Sequence, residues 1–352
     1  MDFIRIKKDV KGIVIILITL LSCFFLVKAR ASNASILLEI LIFTLGLFSL
    51  VKAAEIFTDL SSALGEILGF SKFATGVLII AVGTSAPELF ASVSAAMKNE
   101  PGMAVGNMLG TVVANSLLGI GFGAIFAKNS LSVHRDVFGT QMSIFLTAVF
   151  LLLGSFYDGE LSWYEGAILV FVLVFYLSYV FLSSEDNEKK DVISNLEDSD
   201  SSEKNSIFYL FLLLVISLLC LFSSGDFVVG SLIESAIIMS FPGDKLATSI
   251  LAIGTSIPEI ATAIMLVRKN DADGLFGEII GSNIIGLLGI LGGIALFTPL
   301  SMNMELLTYL GVSLFFMFII TSVIMNDREI NKIEGVSLIA LFVLFTIQLI
   351  KI

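Results

Sequence analysis

The strongest constraint in this chain is a run of about 20 apolar residues that recurs along its whole length. A helix rises about 1.5 Å per residue, so each run matches a hydrocarbon core about 30 Å thick. Of the 352 residues, 57% are hydrophobic and 14% charged, and the mean hydropathy is +1.00. A soluble domain is about half apolar and about a quarter charged. Spans are expected at about 12–28, 36–60, 73–98, 104–127, 137–156, 161–183, 207–240, 245–268, 274–297, 304–325 and 332–351. The chain reads as an all-α polytopic membrane protein. Its first span admits a second reading as a signal peptide, with Arg5, Lys7, Lys8 and Lys11 before an apolar core and a small-x-small site at Ala29-Arg-Ala31.

Two stretches repeat each other. Residues 83–88 read Gly-Thr-Ser-Ala-Pro-Glu and residues 254–259 read Gly-Thr-Ser-Ile-Pro-Glu. Each is followed by a Gly-x-x-x-Gly-[Thr/Ser] segment, Gly106–Thr111 and Gly277–Ser282, and the offset is 171 residues throughout. A carboxylate at the centre of a membrane helix costs about 2.5–3.5 kcal/mol even on insertion scales, so polar groups there usually mark an ion or substrate path. Interrupted apolar segments in matching positions of two halves point to a transporter's binding site.

The basic residues set the orientation. With the N-terminus in the cytosol and eleven alternating spans, fourteen of the twenty lysines and arginines fall inside. The two motif-bearing spans are then separated by five crossings and run in opposite directions. This is an inverted repeat, with a two-fold pseudo-axis in the membrane plane. Its expected parts are an N-terminal segment with an extra hydrophobic helix (1–35), a first half (36–183), a linker (184–206) and a second half (207–352). The linker holds eight acids and three bases and reads as a solvated cytosolic segment. It lacks the glycine and terminal glutamate of a calcium loop. Cys23 and Cys220 lie in apolar runs and read as packing residues. The lone His134 reads as a solvated loop residue.

The motif's chemistry follows from its proline. Pro87 and Pro258 have no N–H to give the carbonyls of Gly83 and Gly254, and the carbonyls of Thr84 and Thr255 are expected to tilt off axis as well. A bare carbonyl in lipid needs a partner, and a cation can serve. Glu88 and Glu259 come one residue later, with the hydroxyls of Thr84, Ser85, Thr255 and Ser256 within a turn. Thr111 and Asn115 turn oxygens to one face of a neighbouring helix, and Ser282 takes the matching place in the second half. The set is all oxygen, which suits Ca2+ and also Na+.

These residues resemble a known family. Gly83-Thr-Ser-Ala-Pro-Glu88 with Gly106-Asn-Met-Leu-Gly110, and Gly254-Thr-Ser-Ile-Pro-Glu259 with Gly281-Ser-Asn283, are similar to the two alpha-repeats of the cation/calcium exchanger superfamily. The sodium/calcium exchanger branch is nearest. The resemblance covers about 36–352, including Leu50-Val-Lys-Ala-Ala-Glu55. It implies ten core transmembrane helices in two inverted five-helix repeats, beside the extra N-terminal helix. It implies Ca2+ held by Glu88, Glu259 and the carbonyls of Thr84 and Thr255. It further implies Na+ sites that share those glutamates with Ser85, Ser256, Thr111, Asn115 and Ser282. The chain departs from the branch at two places: Gly286 stands where an acid is usual, and Glu278 stands where the repeat opens with asparagine. Glu278 is eight residues from Gly286, about 12 Å along a helix, so it cannot take the place of the missing side chain.

The expected activity is secondary antiport of Ca2+ against Na+, with Ca2+/H+ exchange as the alternative and a passive cation channel as a third reading. Two ionised glutamates are neutralised by one Ca2+ or two Na+. No nucleophile and base pair suggests an enzyme, and no cofactor is expected. The partners are the transported cations and the bilayer, without nucleic acid or an obligatory protein partner. The expected location is the cell membrane.

Overall fold

The computed structural model describes residues 3–30, 35–67, 85–128, 130–132, 135–182, 201–268, 270–324 and 329–352. Among these, seven helices are long and apolar enough to cross a membrane. The number is eight when Gly243–Thr255 and Ile257–Arg268, bent by 40° at their junction, are taken as one broken span. Shorter apolar stretches, Met142–Ser155 and Trp163–Ser178, lie in two further expected spans. Of the span expected at 73–98, only the part from Ser85 onward is described. Phe25, Phe171 and Phe211 are exposed, which on helices this apolar is a lipid-facing surface. The described chain divides into two compact units, Met1–Phe90 with Phe175–Met239, and Ala91–Val174 with Ser240–Ile352.

The first unit is built on α1 (Phe3–Arg30), α2 (Ile36–Ile67) and a long helix at Ser201–Met239. That long helix begins inside the segment read as a linker; residues 184–200 lie outside the described residues. Without water there is little hydrophobic drive between helices in lipid, so small residues and polar contacts do the joining. Gly46 lets α2 come close to Val228, whose Cγ2 would sit 3.0 Å from a β-carbon. Gly12 of α1 packs against Ile56 in the same way. The hydroxyls of Thr19 and Ser49 lie 2.5 Å apart. Arg30, the last residue of α1, pairs with Glu39 at 2.5 Å and with Glu234 at 3.6 Å. Cys23 and Cys220 are buried and free. Glu55 is exposed and paired with Lys52 at 2.6 Å.

The second unit begins within α3 (Ala86–Met97) and continues through α4 (Pro101–Ala114), a π-helical turn at Asn115–Gly119, α5 (Ile120–Phe126) and α6 (Arg135–Ser155). The helix α7 (Trp163–Leu182) starts in it, and the long helix α8 (Ser201–Met239) precedes its return. Then come α9 (Gly243–Leu246), a π turn at Ala247–Leu251, α10 (Ala252–Thr255) and α11 (Ile257–Arg268). The chain ends with α12 (Ala272–Ile284), a π turn at Ile285–Leu291, α13 (Gly292–Ala295), α14 (Met304–Ile324) and α15 (Lys332–Lys351). A capping box starts α15: Asn331 accepts from Ile333 and Glu334 N–H, and the Glu334 carboxylate accepts from Asn331 N–H.

Glycines set the spacing at the centre of this unit. A β-carbon on Gly110 would overlap the Thr248 carbonyl, and one on Gly106 would lie 2.6 Å from Thr248 Oγ1. The Gly106-x-x-x-Gly110 pair therefore lets α4 press onto α9 and α10. Two further contacts are reciprocal. Gly121 meets the Gly335 carbonyl and Gly335 meets that of Gly121, while Gly166 and Gly292 do the same elsewhere. Short strands repeat this exchange: β1 (Leu131–Ser132) pairs with β4 (Glu329–Ile330), and β2 (Glu160–Leu161) with β3 (Leu300–Ser301), both antiparallel.

Candidate functional site

From the serine onward, the two Ser-x-Pro-Glu segments have the same local structure. A helix begins one residue after each serine, α3 at Ala86 and α11 at Ile257, which puts Pro87 and Pro258 in the first turn. Proline is tolerated there because the first-turn N–H has no helical partner. The Ser85 carbonyl accepts from Leu89 N–H and the Ser256 carbonyl from Ile260 N–H, both at 3.0 Å. In the second motif α10 ends at Thr255 and the chain turns at Ser256 (φ −74, ψ −2). The interruption is thus a break between two helices, whereas the sequence suggested a proline inside one. Glu88 and Glu259 follow in the third helical position and are 1% and 0% exposed. The positive end of the helix dipole favours a carboxylate at that place.

Each of α3 and α11 turns back through a tight hairpin, and the two hairpins share their turn conformation and backbone bonds. Asn99 and Asn270 both adopt positive φ, 59° and 61°, a conformation that asparagine tolerates better than most residues. Glu100 N–H bonds the Ala95 carbonyl at 3.0 Å, and Asp271 N–H bonds the Leu266 carbonyl at 3.0 Å. These pairs are all related by the 171-residue offset.

Within the second unit, α4 carries Asn107 and Thr111, and the π turn that continues it opens on Asn115, at four-residue spacing on one stripe. All three are buried. Thr111 and Thr255 hydroxyls are 3.4 Å apart. Thr255 donates to Asn107 Oδ1 at 3.5 Å, and Asn107 Nδ2 donates to Ser92 Oγ at 3.0 Å. Asn115 Nδ2 donates to Asn283 Oδ1 at 3.3 Å, and Asn283 Nδ2 donates to Ser116 Oγ at 3.0 Å. Asn115 Oδ1 and Ser256 Oγ are among the buried oxygens of the described residues that have no hydrogen-bond partner. Orphaned buried oxygens need an explanation, and a cation supplies one. The donors are hard oxygens, as Na+ and Ca2+ require.

Of the residues expected from sequence, Thr111 and Thr255 therefore join one cluster, with Asn107 and Ser92, and Asn115 joins a second, with Asn283 and Ser116. Ser256 and Glu259 stand at the break beside it, and Ser282 is buried next to Asn283. Ser85 and Glu88 are buried in the first unit. Thr84 lies outside the described residues. Asn107, Asn283 and Ser116 were not among the expected ligands. Their signal was the spacing of 107, 111 and 115 in an apolar run, and the Ser-Asn pair at 282–283. A π turn follows both Gly-x-x-x-Gly segments, and such turns are frequent at functional sites. At Gly286, within the second π turn, a β-carbon would overlap the terminal methyl of Met108. The space left by the missing side chain is filled with an apolar group.

A multi-pass membrane protein with two buried glutamates in matching first helical turns and buried oxygen-lined clusters is a cation transporter in class. A model of the family described as sodium/calcium exchanger protein matches residues 38–182 and 209–351. The inner membrane protein YrbG of Escherichia coli is 30% identical over 265 residues, covering 75% of this chain and 81% of its own. The sodium/calcium exchanger MaX1 of Methanosarcina acetivorans is 28% identical, with 89% of this chain and 99% of its own covered. A structure of the sodium-calcium exchanger NCX_Mj, soaked with Na+ and Sr2+, superimposes with a TM-score of 0.59 at 23% identity, over 88% of this chain and 98% of that one. The chain belongs to the sodium/calcium exchanger family.

Proposed function

We propose that the protein exchanges Ca2+ for Na+ across the cell membrane by alternating access, as ten core helices in two inverted halves with one extra N-terminal helix. The observation that carries this reading is the paired glutamates: Glu88 and Glu259 are each buried in the first turn of a helix that begins just after the serine of a Ser-x-Pro-Glu segment. The reciprocal strand and glycine contacts support the inverted arrangement. The names of MaX1 and NCX_Mj, both sodium/calcium exchangers, support the ion pair.

In this reading Ca2+ takes both carboxylates and the broken-helix carbonyls at Thr84 and Thr255. Na+ competes for the same glutamates with Ser85, Ser256, Thr111, Asn115 and Ser282. One set must leave before the other binds. A neutralised site can cross the low-dielectric barrier, whereas an empty, doubly negative one is held back. The test is reconstitution into liposomes, with uptake of radiolabelled Ca2+ driven separately by outward Na+ and outward H+ gradients. Uptake on the Na+ gradient is expected. Uptake on the H+ gradient alone would replace Na+ with H+ as counter-ion, and uncoupled flux would make the protein a channel.

A further inference from the structure

The two hairpins differ at a pair of positions that face each other in the first of them. In the first, Asn107 of α4 donates to Ser92 of α3 at 3.0 Å and ties the two helices together. The 171-residue offset carries this pair onto Glu278 and Ala263. The amide has become a carboxylate, and the hydroxyl opposite has become a buried methyl. Glu278 therefore cannot make the cross-hairpin bond of its twin. Both of its carboxylate oxygens are shielded from solvent and have no hydrogen-bond partner among the described residues, and no ion pair there involves it. Beside it, no atom lies within 4 Å of where a β-carbon on Gly277 would stand, so the helix has open space at this level.

Depth along the hairpin places Glu278 with respect to Glu259. At a rise of about 1.5 Å per residue, Glu259 lies about 14 Å from the end of α11, and Glu278 about 9 Å from the start of α12. The two carboxylates are thus offset by about 5 Å on adjoining antiparallel helices, with Glu278 nearer the turn. Gly286, by contrast, is closed by Met108. A buried carboxylate without a donor or a basic partner is unfavourable unless something neutralises it.

We propose that Glu278 is a third cation-binding carboxylate of the transport path, holding Na+ on the hairpin-turn side of Glu259. The charge absent at Gly286 is supplied from a different position, one where the first half carries a neutral amide that fastens its hairpin and accepts from Thr255. This inference rests on the exchanger reading above.

The experiment uses the full chain in liposomes and compares wild type, Glu278→Gln, and the double variant Ala263→Ser/Glu278→Asn, which rebuilds the first hairpin's bond. Na+-driven efflux of radiolabelled Ca2+ is read against Ca2+–Ca2+ self-exchange, which needs no Na+. In both variants the Hill slope for Na+ should fall by about one and the half-saturating Na+ concentration should rise, while self-exchange persists. A purely structural role predicts that the double variant, with its hairpin fastened, regains the wild-type Na+ dependence; that result would overturn the proposal. So would an unchanged slope in folded Glu278→Gln, which is the behaviour of a glutamate that stays protonated and idle. If wild type itself shows neither self-exchange nor gradient-driven flux, the exchanger reading falls rather than this one. Should Glu278→Gln fail to fold, the double variant alone decides.

Discussion

At the scale of single residues, Met108 is the side chain that changes what Gly286 means. Glycine at 286 looks like a missing acid; in the fold its vacant space holds the Met108 methyl. The close atom is the free end of a flexible side chain, so Gly286→Asp should be accommodated by a shift of Met108, read as a melting temperature in detergent near that of wild type. With Met108→Ala made alongside, the Hill slope of Na+-driven Ca2+ efflux should rise by about one. An unaltered slope in the folded double variant would show that a charge at 286 is not used. Glu88→Gln and Glu259→Gln should each abolish Ca2+ uptake, since two formal charges are needed to match the ion; near wild-type uptake in either removes that glutamate from the site. Both glutamates were legible in the sequence because a proline and an acid recur together at one offset. Asn283 and the Met108 contact were not, because which side chains face one another across two helices depends on crossing geometry that no local pattern encodes.

At the scale of elements, α1 behaves as a built-in part of the first unit. Arg30 stands at its end, one residue before Ala31, and reaches the fully buried Glu39 on α2. Cleavage after Ala31 would remove that partner and leave a buried carboxylate unmatched, a loss of about 3–5 kcal/mol for a buried pair. Intact-mass measurement of the membrane-extracted protein should therefore find residues 1–31 still attached. Arg30→Ala should lower the melting temperature, and Arg30→Ala with Glu39→Gln should recover part of it. A mature chain beginning at residue 32 with normal stability would refute this. The long helices were legible from their apolar runs: spans expected at 304–325 and 332–351 are Met304–Ile324 and Lys332–Lys351. The π turns and the full break at Ser256 were not, because the sequence shows the proline but not how far the backbone yields around it.

At the scale of the whole molecule, the duplication was the most legible feature of all, since an exact offset needs no tertiary information. The proposed topology puts the segment 184–206 in the cytosol. Cysteines introduced as Asn195→Cys and Ser201→Cys should stay unlabelled by an impermeant thiol reagent in intact cells and react once the membrane is opened. Rapid labelling in intact cells would reverse the orientation.

The reciprocal pairings of the second unit bear on how such a chain is made. Ser130, beside β1, donates to the carboxylate of Glu329 in β4, a residue 199 positions further on. Gly121 likewise waits for Gly335. Most of the helices must enter the bilayer before these partners exist, so the halves can interlock only once the last helix, Lys332–Lys351, has been made. An N-terminal fragment ending near residue 206 would present close-packing glycine faces with nothing against them, and the cell's quality control should meet it as an orphan. Co-synthesis of the remaining fragment supplies those partners in trans, which makes assembly, rather than insertion, the late and vulnerable step in the biogenesis of this protein.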